Sequence, residues 1–298
     1  MLNPSLHTQL EQTAQAALGH AFRITAATPV AGGDINTALR LNGPGGAVFV
    51  KFRPAADLAM FVAEAEGLRA LSRCAALKAP SVLGLGEADG QAFLLLEWLE
   101  IGPLRDDASA RRAGSALAEL HRCTGDHFGW PHDNFIGNAP QHNGESDHWA
   151  RFFVDRRLRP QLESAAACGF RGDLQKHGEA ICEKAPALFL EYRPQPSLVH
   201  GDLWGGNLGA LADGTPVLFD PAVYFGDRET DLAMSELFGG LPLAFYAAYR
   251  EAWPLNEGYE TRKPLYNLYH ILNHLNLFGR GYLGQAERMA TSLAAMLR

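Results

Sequence analysis

The chain has 298 residues, of which 47% are hydrophobic and 20% charged, and its formal net charge is −7. This composition is typical of a globular protein, and the length allows one large domain or two lobes. The net charge is negative, whereas nucleic-acid-binding proteins typically carry an excess of basic residues. No apolar run approaches the roughly 20 residues of a membrane span. We therefore expect neither a nucleic-acid partner nor a membrane association.

The N-terminal sequence does not resemble a signal peptide. Asn3-Pro4-Ser5 instead predicts the start of a helix that continues to Leu18 and is closed by Gly19. The four cysteines show neither paired metal spacing nor a disulfide framework, which favours a reducing compartment. We expect the protein to be cytoplasmic.

A strand-rich region with one helix is predicted next. Short apolar runs separated by Gly- and Asn-rich turns fill residues 22–52 and are typical of hairpins. A helix over residues 57–73 places Glu64 on the same face as Leu68. Two further strands are predicted around 81–87 and 92–97, before a linker at 98–103.

The rest of the chain is predicted to be mostly helical. Residues 126–145 are rich in Gly, Asn, Pro and His and predict an ordered loop. The predicted helices cover 109–122, 146–168, 173–191, 230–252 and 264–297. The pattern predicts an α+β protein with a small strand-rich lobe, residues 1–97, and a larger helical lobe, residues 98–298.

The most informative tract runs from His200 to Asn207 and is followed by Phe219-Asp220-Pro221. Asp202 lies five residues before Asn207, and Asp220 follows a short apolar strand. Kinase-type phosphoryl transfer needs a carboxylate at the attacking hydroxyl, and an amide and a carboxylate that hold Mg²⁺ against the phosphates. Asp202 is the predicted base, and Asn207 and Asp220 are the predicted metal ligands. Taken alone, Asp202 and Asn207 are also typical of polar turns, and Asp220 could be a helix cap, although no helical pattern begins there. Together the three residues favour a small-molecule kinase.

Lys51 ends the apolar strand Val48-Phe49-Val50. A lysine at this place can reach the α- and β-phosphates of ATP, and an acidic residue on the next helix can hold it. Glu64 is the preferred partner because it shares the apolar helix face, whereas Glu66 points elsewhere. The alternative is a lysine that only snorkels at the end of a strand.

Two backbone segments are candidate nucleotide contacts. Gly32 and Gly33 lie between strands, where the lack of side chains would let backbone amides approach phosphate. Glu97, Trp98 and Leu99 lie where strands give way to helices, and extended backbone there could hydrogen-bond an adenine edge. A plain hairpin turn and a plain linker are the alternative interpretations.

Trp204 follows Asp202 by two residues beside two glycines. It is either a stacking wall for a sugar-like substrate or a buried core residue. His200 is expected to orient its loop rather than to perform acid–base chemistry. His270, Asn273 and His274 fall at helical spacing and predict a polar helix face that lines a cleft, in preference to a metal site.

These motifs resemble the fructosamine kinase (ketosamine 3-kinase) family, a branch of the aminoglycoside-phosphotransferase-like kinases, over nearly the whole chain. Two tracts are specific, namely His200 to Asn207 and Phe225 to Met234. The other matching stretches are Gly32 to Asn36, Phe49 to Lys51, Met60 to Leu68, Leu120-His121, Phe128 to Trp130, Asp133 to Gly137 and Pro140 to Asn143.

The resemblance implies a two-lobed protein-kinase-like fold that uses ATP and Mg²⁺, with a nucleotide-binding lobe before residue 98 and a catalytic and substrate-binding lobe after it. It implies phosphorylation of the 3-hydroxyl of a ketose joined to an amine, with Asp202 as proton acceptor and Glu97 to Leu99 as the adenine hinge. Substrate contacts are expected from Trp204, Asp227, Glu229 and Asp231. We expect a monomer.

The chain also departs from related patterns. The phosphate loop, Gly32 to Asn36, lacks the cysteine that permits redox-linked dimers in some members. Protein kinases carry Arg before the catalytic Asp and Gly after the metal Asp, where this chain has Gly201 and Pro221. A kinase of another small hydroxyl compound is the main alternative, and a non-catalytic nucleotide-binding protein is the second.

Overall fold

The computed structural model describes residues 3–30 and 37–298. The strands are Ala26–Pro29 (β1), Thr37–Gly43 (β2), Gly46–Pro54 (β3), Val82–Ala88 (β4), Gln91–Glu97 (β5), Asn134–Ile136 (β6), Ala139–Gln141 (β7), Ser197–Val199 (β8), Leu208–Ala210 (β9), Pro216–Leu218 (β10) and Tyr224–Gly226 (β11). The helices are Pro4–Leu18 (α1), Leu58–Leu71 (α2), Asp107–His121 (α3), Trp149–Phe153 (α4), Arg159–Ala167 (α5), Asp173–Lys184 (α6), Glu229–Leu237 (α7), Leu243–Ala252 (α8), Tyr259–Phe278 (α9) and Leu283–Met296 (α10). The predicted α+β class is confirmed.

Helix α1 begins and ends at the predicted signals. The side chain of Asn3 accepts a hydrogen bond from the Leu6 N–H, and Pro4 occupies the first turn. Gly19 closes the helix in the left-handed conformation, with φ of 71°. An N-cap Asn, an early Pro and a terminal Gly satisfy the end groups that a helix leaves unpaired.

The five-stranded antiparallel sheet has the order β1-β2-β3-β5-β4. In β3, Val50 pairs with Leu39 and Leu95, which places this strand in the middle of the sheet. Because side chains alternate between faces, Val48, Val50 and Phe52 pack in the cluster under α1. Lys51 therefore points to the opposite face, toward α2 and the candidate site.

Apolar packing crosses the predicted boundary at residues 97 and 98. One cluster joins Phe61 and Leu68 of α2 to Leu117 and Leu120 of α3. The Lys78 N–H also donates to the Pro216 carbonyl at 2.8 Å, which adds residue 78 to the β10 edge. The division of the chain into two lobes at this boundary remains a prediction.

Two predicted helices are each divided in the structure. The segment 230–252 forms α7 and α8, because Gly239 and Gly240 adopt φ of 91° and 76° and Pro242 follows. Gly279, with φ of 81°, likewise separates α9 from α10 within the predicted helix 264–297. Positive φ values are typical of glycine and end a helix, so the prediction of single helices was wrong at both places.

The loop predicted at 126–145 contains the short hairpin of β6 and β7. The predicted helix 146–168 is interrupted by one π-helical turn, Val154–Leu158, between α4 and α5. No helix among the described residues is both long and apolar enough to cross a lipid bilayer.

Candidate active site

A cavity of about 550 Å³ brings together the acidic motifs and the β3 lysine. Lys51 of β3 and Glu64 of α2 line one side. The loops after β8 and β10 supply Asp202, Asn207 and Asp220 on another side. Residues separated by more than 160 positions in sequence thus share one concave surface, as binding sites commonly do.

Lys51 and Glu64 form the predicted ion pair. The Lys51 Nζ donates to Glu64 Oε1 at 2.6 Å and also contacts Asp220 Oδ1. Burial lowers the pKa of Lys51, but the Asp220 and Glu64 carboxylates outweigh it and raise the pKa above its usual value, so the ammonium stays charged. Glu66 instead binds His132 Nε2 at 2.5 Å. Glu64, not Glu66, is therefore the partner of Lys51.

Gly201 explains why the residue before Asp202 is not the arginine of protein kinases. Gly201 has a φ of 84°, and a Cβ there would lie 2.0 Å from the Ala222 carbonyl oxygen. Any side chain would be strained both by the backbone conformation and by this contact. The His-Gly-Asp sequence is thus required by the close approach of the catalytic loop to the segment after Asp220.

Asp202 has the environment of a general base. Burial, followed by the negative charges of Asp220 and Asp231, raises the pKa of Asp202 to about 7. Its carboxylate has one hydrogen-bond partner among the described residues, Asn207 Nδ2 at 3.4 Å. A carboxylate that is weakly paired and has a pKa near neutrality is suited to accept a proton from an alcohol.

His200 holds the loop, as the sequence predicted. Its Nδ1 accepts from the Asp202 N–H at 3.3 Å, which leaves Nε2 to donate to the Phe219 carbonyl at 2.9 Å. Burial lowers the pKa of His200, so the neutral ring persists. One imidazole thereby joins the loop of the base to the strand that precedes Asp220.

Asn207 and Asp220 present two hard oxygens to the cavity. Asn207 Nδ2 donates to the Asp202 carbonyl oxygen at 2.9 Å, so its Oδ1 is the end left for a ligand. Asp220 projects its carboxylate from a left-handed backbone with φ of 55°. Oxygen ligands of this kind suit Mg²⁺, which protein carboxylates commonly share with substrate phosphates. Within residues 3–30 and 37–298, no cluster of three or more His, Cys, Asp or Glu could hold a metal ion by itself.

Trp204 lies on the cavity wall and 41% of its surface is exposed. It is not a core residue, so the stacking interpretation is the one that its placement supports. Its ring lies over Gly206, where a Cβ would come within 2.3 Å of the ring. Gly206 therefore provides the space in which the indole sits beside Asp202.

The predicted adenine hinge, Glu97 to Leu99, makes its contacts outside the cavity. The Glu97 carboxylate accepts hydrogen bonds from Lys78 Nζ at 2.7 Å and from the Ser81 hydroxyl. Trp98 packs on Phe49 with ring centroids 6.2 Å apart. As far as the described residues define the cavity, Glu97, Trp98 and Leu99 do not line it. Gly32 and Gly33 lie outside the described residues.

The three acidic residues of the Phe225 to Met234 tract are buried instead of facing the cavity. Asp227 accepts from the Tyr192 and Tyr266 hydroxyls at 2.9 and 2.5 Å. Glu229 forms a two-bond pair with Arg262, at 2.8 Å each. The expectation that Asp227, Glu229 and Asp231 contact substrate is corrected, because all three are at most 1% exposed.

Asp231 acts on the catalytic loop. Its carboxylate accepts from the backbone N–H groups of His200 and Gly201, at 2.7 and 2.9 Å, and from His121 Nε2 at 3.1 Å. Although burial raises the pKa of Asp231, hydrogen bonding and charge at His121 lower it below its usual value. Asp231 thus stays ionised at neutral pH and holds the backbone of the two residues before Asp202.

The cavity also contains residues that the site prediction did not name. Asn273 and His274 line it, as the predicted polar face of a cleft requires, whereas His270 is buried behind them. The other unpredicted lining residues include Arg53, Met60, Asn134, Phe135, Phe238, Phe278 and Tyr282. Met60, Asn134 and Phe135 lie in stretches that match the family, but their spacing did not assign them to the site, and the other four lie outside those stretches. Only the fold brings these residues together at the cavity.

The comparisons with known proteins agree with this arrangement. The family model described as fructosamine kinase matches residues 6–296. A Synechocystis relative named "Probable ketoamine kinase slr1563" is 44% identical over 96% of each chain. A crystal structure of a fructosamine-3-kinase homologue from Haemophilus somnus 129PT superposes with a TM-score of 0.88 at 30% identity, covering 97% of this chain and 99% of that one. A crystal structure of a thermostable mutant of aminoglycoside phosphotransferase APH(4)-Ia shares the fold, with a TM-score of 0.62 at 16% identity, covering 96% of this chain and 98% of that one.

The fold and the site define a protein-kinase-like phosphotransferase. The Lys51–Glu64 pair, the Asp202 carboxylate and the oxygens of Asn207 and Asp220 line one cavity, and phosphoryl transfer of this class uses such a set. The chain belongs to the fructosamine kinase family. Membership in a family of kinases implies the use of ATP.

Proposed function

We propose that this protein transfers the γ-phosphoryl group of ATP to the 3-hydroxyl of a ketosamine, with Mg²⁺ as the metal. The observation that carries the proposal is the position of Asp202. A carboxylate with a pKa of about 7 faces the same cavity as a charged Lys51 and the oxygens of Asn207 and Asp220. The names of the family and of the similar proteins supply the acceptor class.

Each residue of the site has a separate task in this reaction. Asp202 accepts the proton of the attacking hydroxyl as the new P–O bond forms, and the bond to the ADP oxygen breaks. Lys51, held by Glu64, binds phosphate oxygens. Asn207 and Asp220 would hold Mg²⁺, which when bound neutralises charge on the phosphates.

The same arrangement positions the acceptor. Trp204 offers an exposed aromatic face next to Asp202. A sugar has an apolar C–H face that packs on such a ring, and correct placement of the reacting hydroxyl contributes strongly to rate. The predicted hinge, Glu97 to Leu99, and the glycines Gly32 and Gly33 remain the proposed contacts for the adenine and the phosphates.

Phosphorylation of the sugar next to its carbonyl carbon would make the adduct prone to break down and free the amine. A ketosamine kinase is therefore a deglycation repair activity. A kinase of another small hydroxyl compound, such as an aminoglycoside, is the alternative that the shared fold with APH(4)-Ia keeps open.

The test is phosphate incorporation from labelled ATP with a panel of ketosamines, both free and protein-bound, with and without Mg²⁺. We expect Mg²⁺-dependent turnover with at least one ketosamine, and a ³¹P and ¹H NMR spectrum of the product that places phosphate on O3. The Asp220→Ala variant is the matched control and should be inactive at millimolar Mg²⁺. Turnover with an aminoglycoside but with no ketosamine would reject the proposal.

A further inference from the structure

One buried side-chain amide turns its nitrogen to the cavity, and this nitrogen has no hydrogen-bond partner among the described residues. Asn273 of α9 lines the cavity although only 3% of its surface is exposed. Its Oδ1 accepts from Gln161 Nε2 at 3.1 Å. Among the described residues no acceptor lies within hydrogen-bond distance of Asn273 Nδ2. This atom is not among the fully buried unpaired atoms, so it retains some accessible surface. The Asn273 Nδ2 is therefore an unsatisfied donor that faces the cavity.

The direction of this amide is fixed by a backbone carbonyl two side chains away. Asn276 Nδ2 donates to the Gln161 backbone carbonyl at 2.9 Å and to Gln161 Oε1 at 2.6 Å. A carbonyl oxygen can only accept, so Asn276 must turn its nitrogen toward Gln161. The Gln161 nitrogen then faces Asn273, whose oxygen must accept. The chain of amides consequently ends with a donor in the cavity.

Aromatic rings lie beside this donor. The ring of His274 lies 4.7 Å from that of Phe238, 5.5 Å from Phe278 and 5.1 Å from Tyr282, measured between centroids. All four line the same cavity as Asn273 and Asp202. A polar donor next to aromatic faces suits a ligand with C–H faces and a rim of oxygens, which describes a sugar better than it describes a simple amine.

We propose that Asn273 determines specificity by donating a hydrogen bond to an oxygen of the ketose, and that Gln161 and Asn276 position it. This inference rests on the proposed function. A donor needs an acceptor, and the secondary amine of a ketosamine is protonated at neutral pH and offers only donors. Asn273 therefore recognises the sugar and not the amine, so the sugar lies against α9.

The decisive variant is Gln161→Glu, which lies behind the cavity wall. A carboxylate still accepts from Asn276, but it has no donor for Asn273. Asn273 must then turn its nitrogen toward Glu and its oxygen into the cavity, so the ligand meets an acceptor where it had a donor. We expect kcat/KM for the ketosamine to fall roughly 10- to 100-fold, as when one buried polar group is left unpaired, while the KM for ATP stays unchanged.

Two further variants separate this role from a structural one. Asn273→Asp keeps an acceptor for Gln161 but replaces the cavity nitrogen by oxygen, so it should show the same loss. Gln175→Glu is the matched control, because Gln175 Nε2 donates to the Leu162 and Phe170 carbonyls at 3.0 and 2.9 Å away from the cavity. It should lower the melting temperature and leave the ketosamine KM unchanged.

A set of monodeoxy ketosamines identifies the oxygen. For the analogue that lacks it, wild type and Gln161→Glu should have equal kcat/KM, whereas the other analogues keep the difference. The role of Asn273 would be overturned if wild type, Gln161→Glu and Asn273→Asp had equal kcat/KM on the parent ketosamine. It would also be overturned if Gln175→Glu showed the same loss of kcat/KM. Wild type that phosphorylates no ketosamine would instead overturn the proposed function, and with it this inference.

Discussion

Five carboxylates near the catalytic loop fall into two groups that differ in burial and pairing. Asp202 and Asp220 face the cavity. Asp227, Glu229 and Asp231 are sealed inside. Asp202 has one long side-chain hydrogen bond and a pKa raised to about 7, whereas Asp231 accepts three hydrogen bonds and has a lowered pKa.

The difference shows how one residue type serves two purposes. In Asp231 the hydrogen bonds outweigh burial and lower the pKa, so this carboxylate stays ionised and can fix the backbone but is a poor base at neutral pH. Burial instead raises the pKa of Asp227 and of Glu229 despite their hydrogen bonds. A carboxylate that is desolvated and short of donors binds a proton near neutral pH. The motif position alone does not separate these cases, because Asp202 and Asp231 both lie in tracts that are specific to the family.

The largest effect on activity should come from the carboxylates that face the cavity. Asp202→Asn should reduce kcat roughly 10²- to 10⁴-fold, the usual contribution of a general base, with little change in ATP affinity. The same substitution should raise thermal stability at pH 8, because it removes a charge that the folded state disfavours. Activity assays and melting curves on one preparation measure both, and near-normal kcat would remove Asp202 from the mechanism.

The sign of the pH dependence follows from the raised pKa. Unfolded Asp ionises near 3.8 and folded Asp202 near 7, so the ionised side chain costs stability progressively as pH rises between these values. The stabilisation by Asp202→Asn should therefore be larger at pH 8 than at pH 5. Wild-type kcat/KM should decline below about pH 7, because protonated Asp202 cannot accept a proton.

An intermediate effect on activity, together with a loss of stability, is expected from the three buried carboxylates. Asp231→Asn leaves at least one of its three donors facing an NH₂ group, and disrupting such a buried pair costs about 3–5 kcal/mol of the free energy of unfolding. Urea unfolding measures the loss. Activity should fall through kcat, since the loop before Asp202 shifts, while the ketosamine KM changes little.

The control for Asp231→Asn is the same substitution on the surface. Asp155 pairs with Arg151 at 3.5 Å, and both side chains are exposed. Exposed ion pairs contribute about 0–1 kcal/mol, so Asp155→Asn should leave stability and activity nearly unchanged. A loss equal to that of Asp231→Asn would show that burial does not distinguish the two groups of carboxylates.

The smallest effect on activity is expected at Trp204, which lines the cavity together with Asp202 and Asp220. Trp204→Ala should raise the ketosamine KM roughly 10-fold, as when about 1.4 kcal/mol of binding is lost, and should spare the ATP KM and the melting temperature. Trp149→Ala provides the contrast, because Trp149 is 3% exposed and its loss should cost about 3–5 kcal/mol of stability. A large melting shift in Trp204→Ala with unchanged KM would contradict the stacking role.

The placement of Glu64 illustrates how far the sequence could go. Helical periodicity put Glu64 on the apolar face and Glu66 elsewhere, and the structure pairs Glu64 with Lys51. Local spacing was sufficient because both residues lie within adjacent elements. The acidic tract at Asp227 to Asp231 was misassigned, because a motif letter does not show whether its side chain points into a cavity or into the core.

The sequence by itself determined the fold class, the family and most helix and strand positions, and it singled out the five polar residues that the structure brings to one cavity, because motif spacing and periodicity are local properties. The breaks at Gly239 and Gly279 carried a local signal that the helix predictions overlooked, since Gly239-Gly240 is followed by Pro242 and Gly279 is followed by Gly281. Only the tertiary structure decided that Asp231 supports the loop of Asp202, and that Gln161 and Asn273 meet at the cavity wall. Such pairings join residues 30, 31 and 112 positions apart, and only chain packing brings them within hydrogen-bond distance.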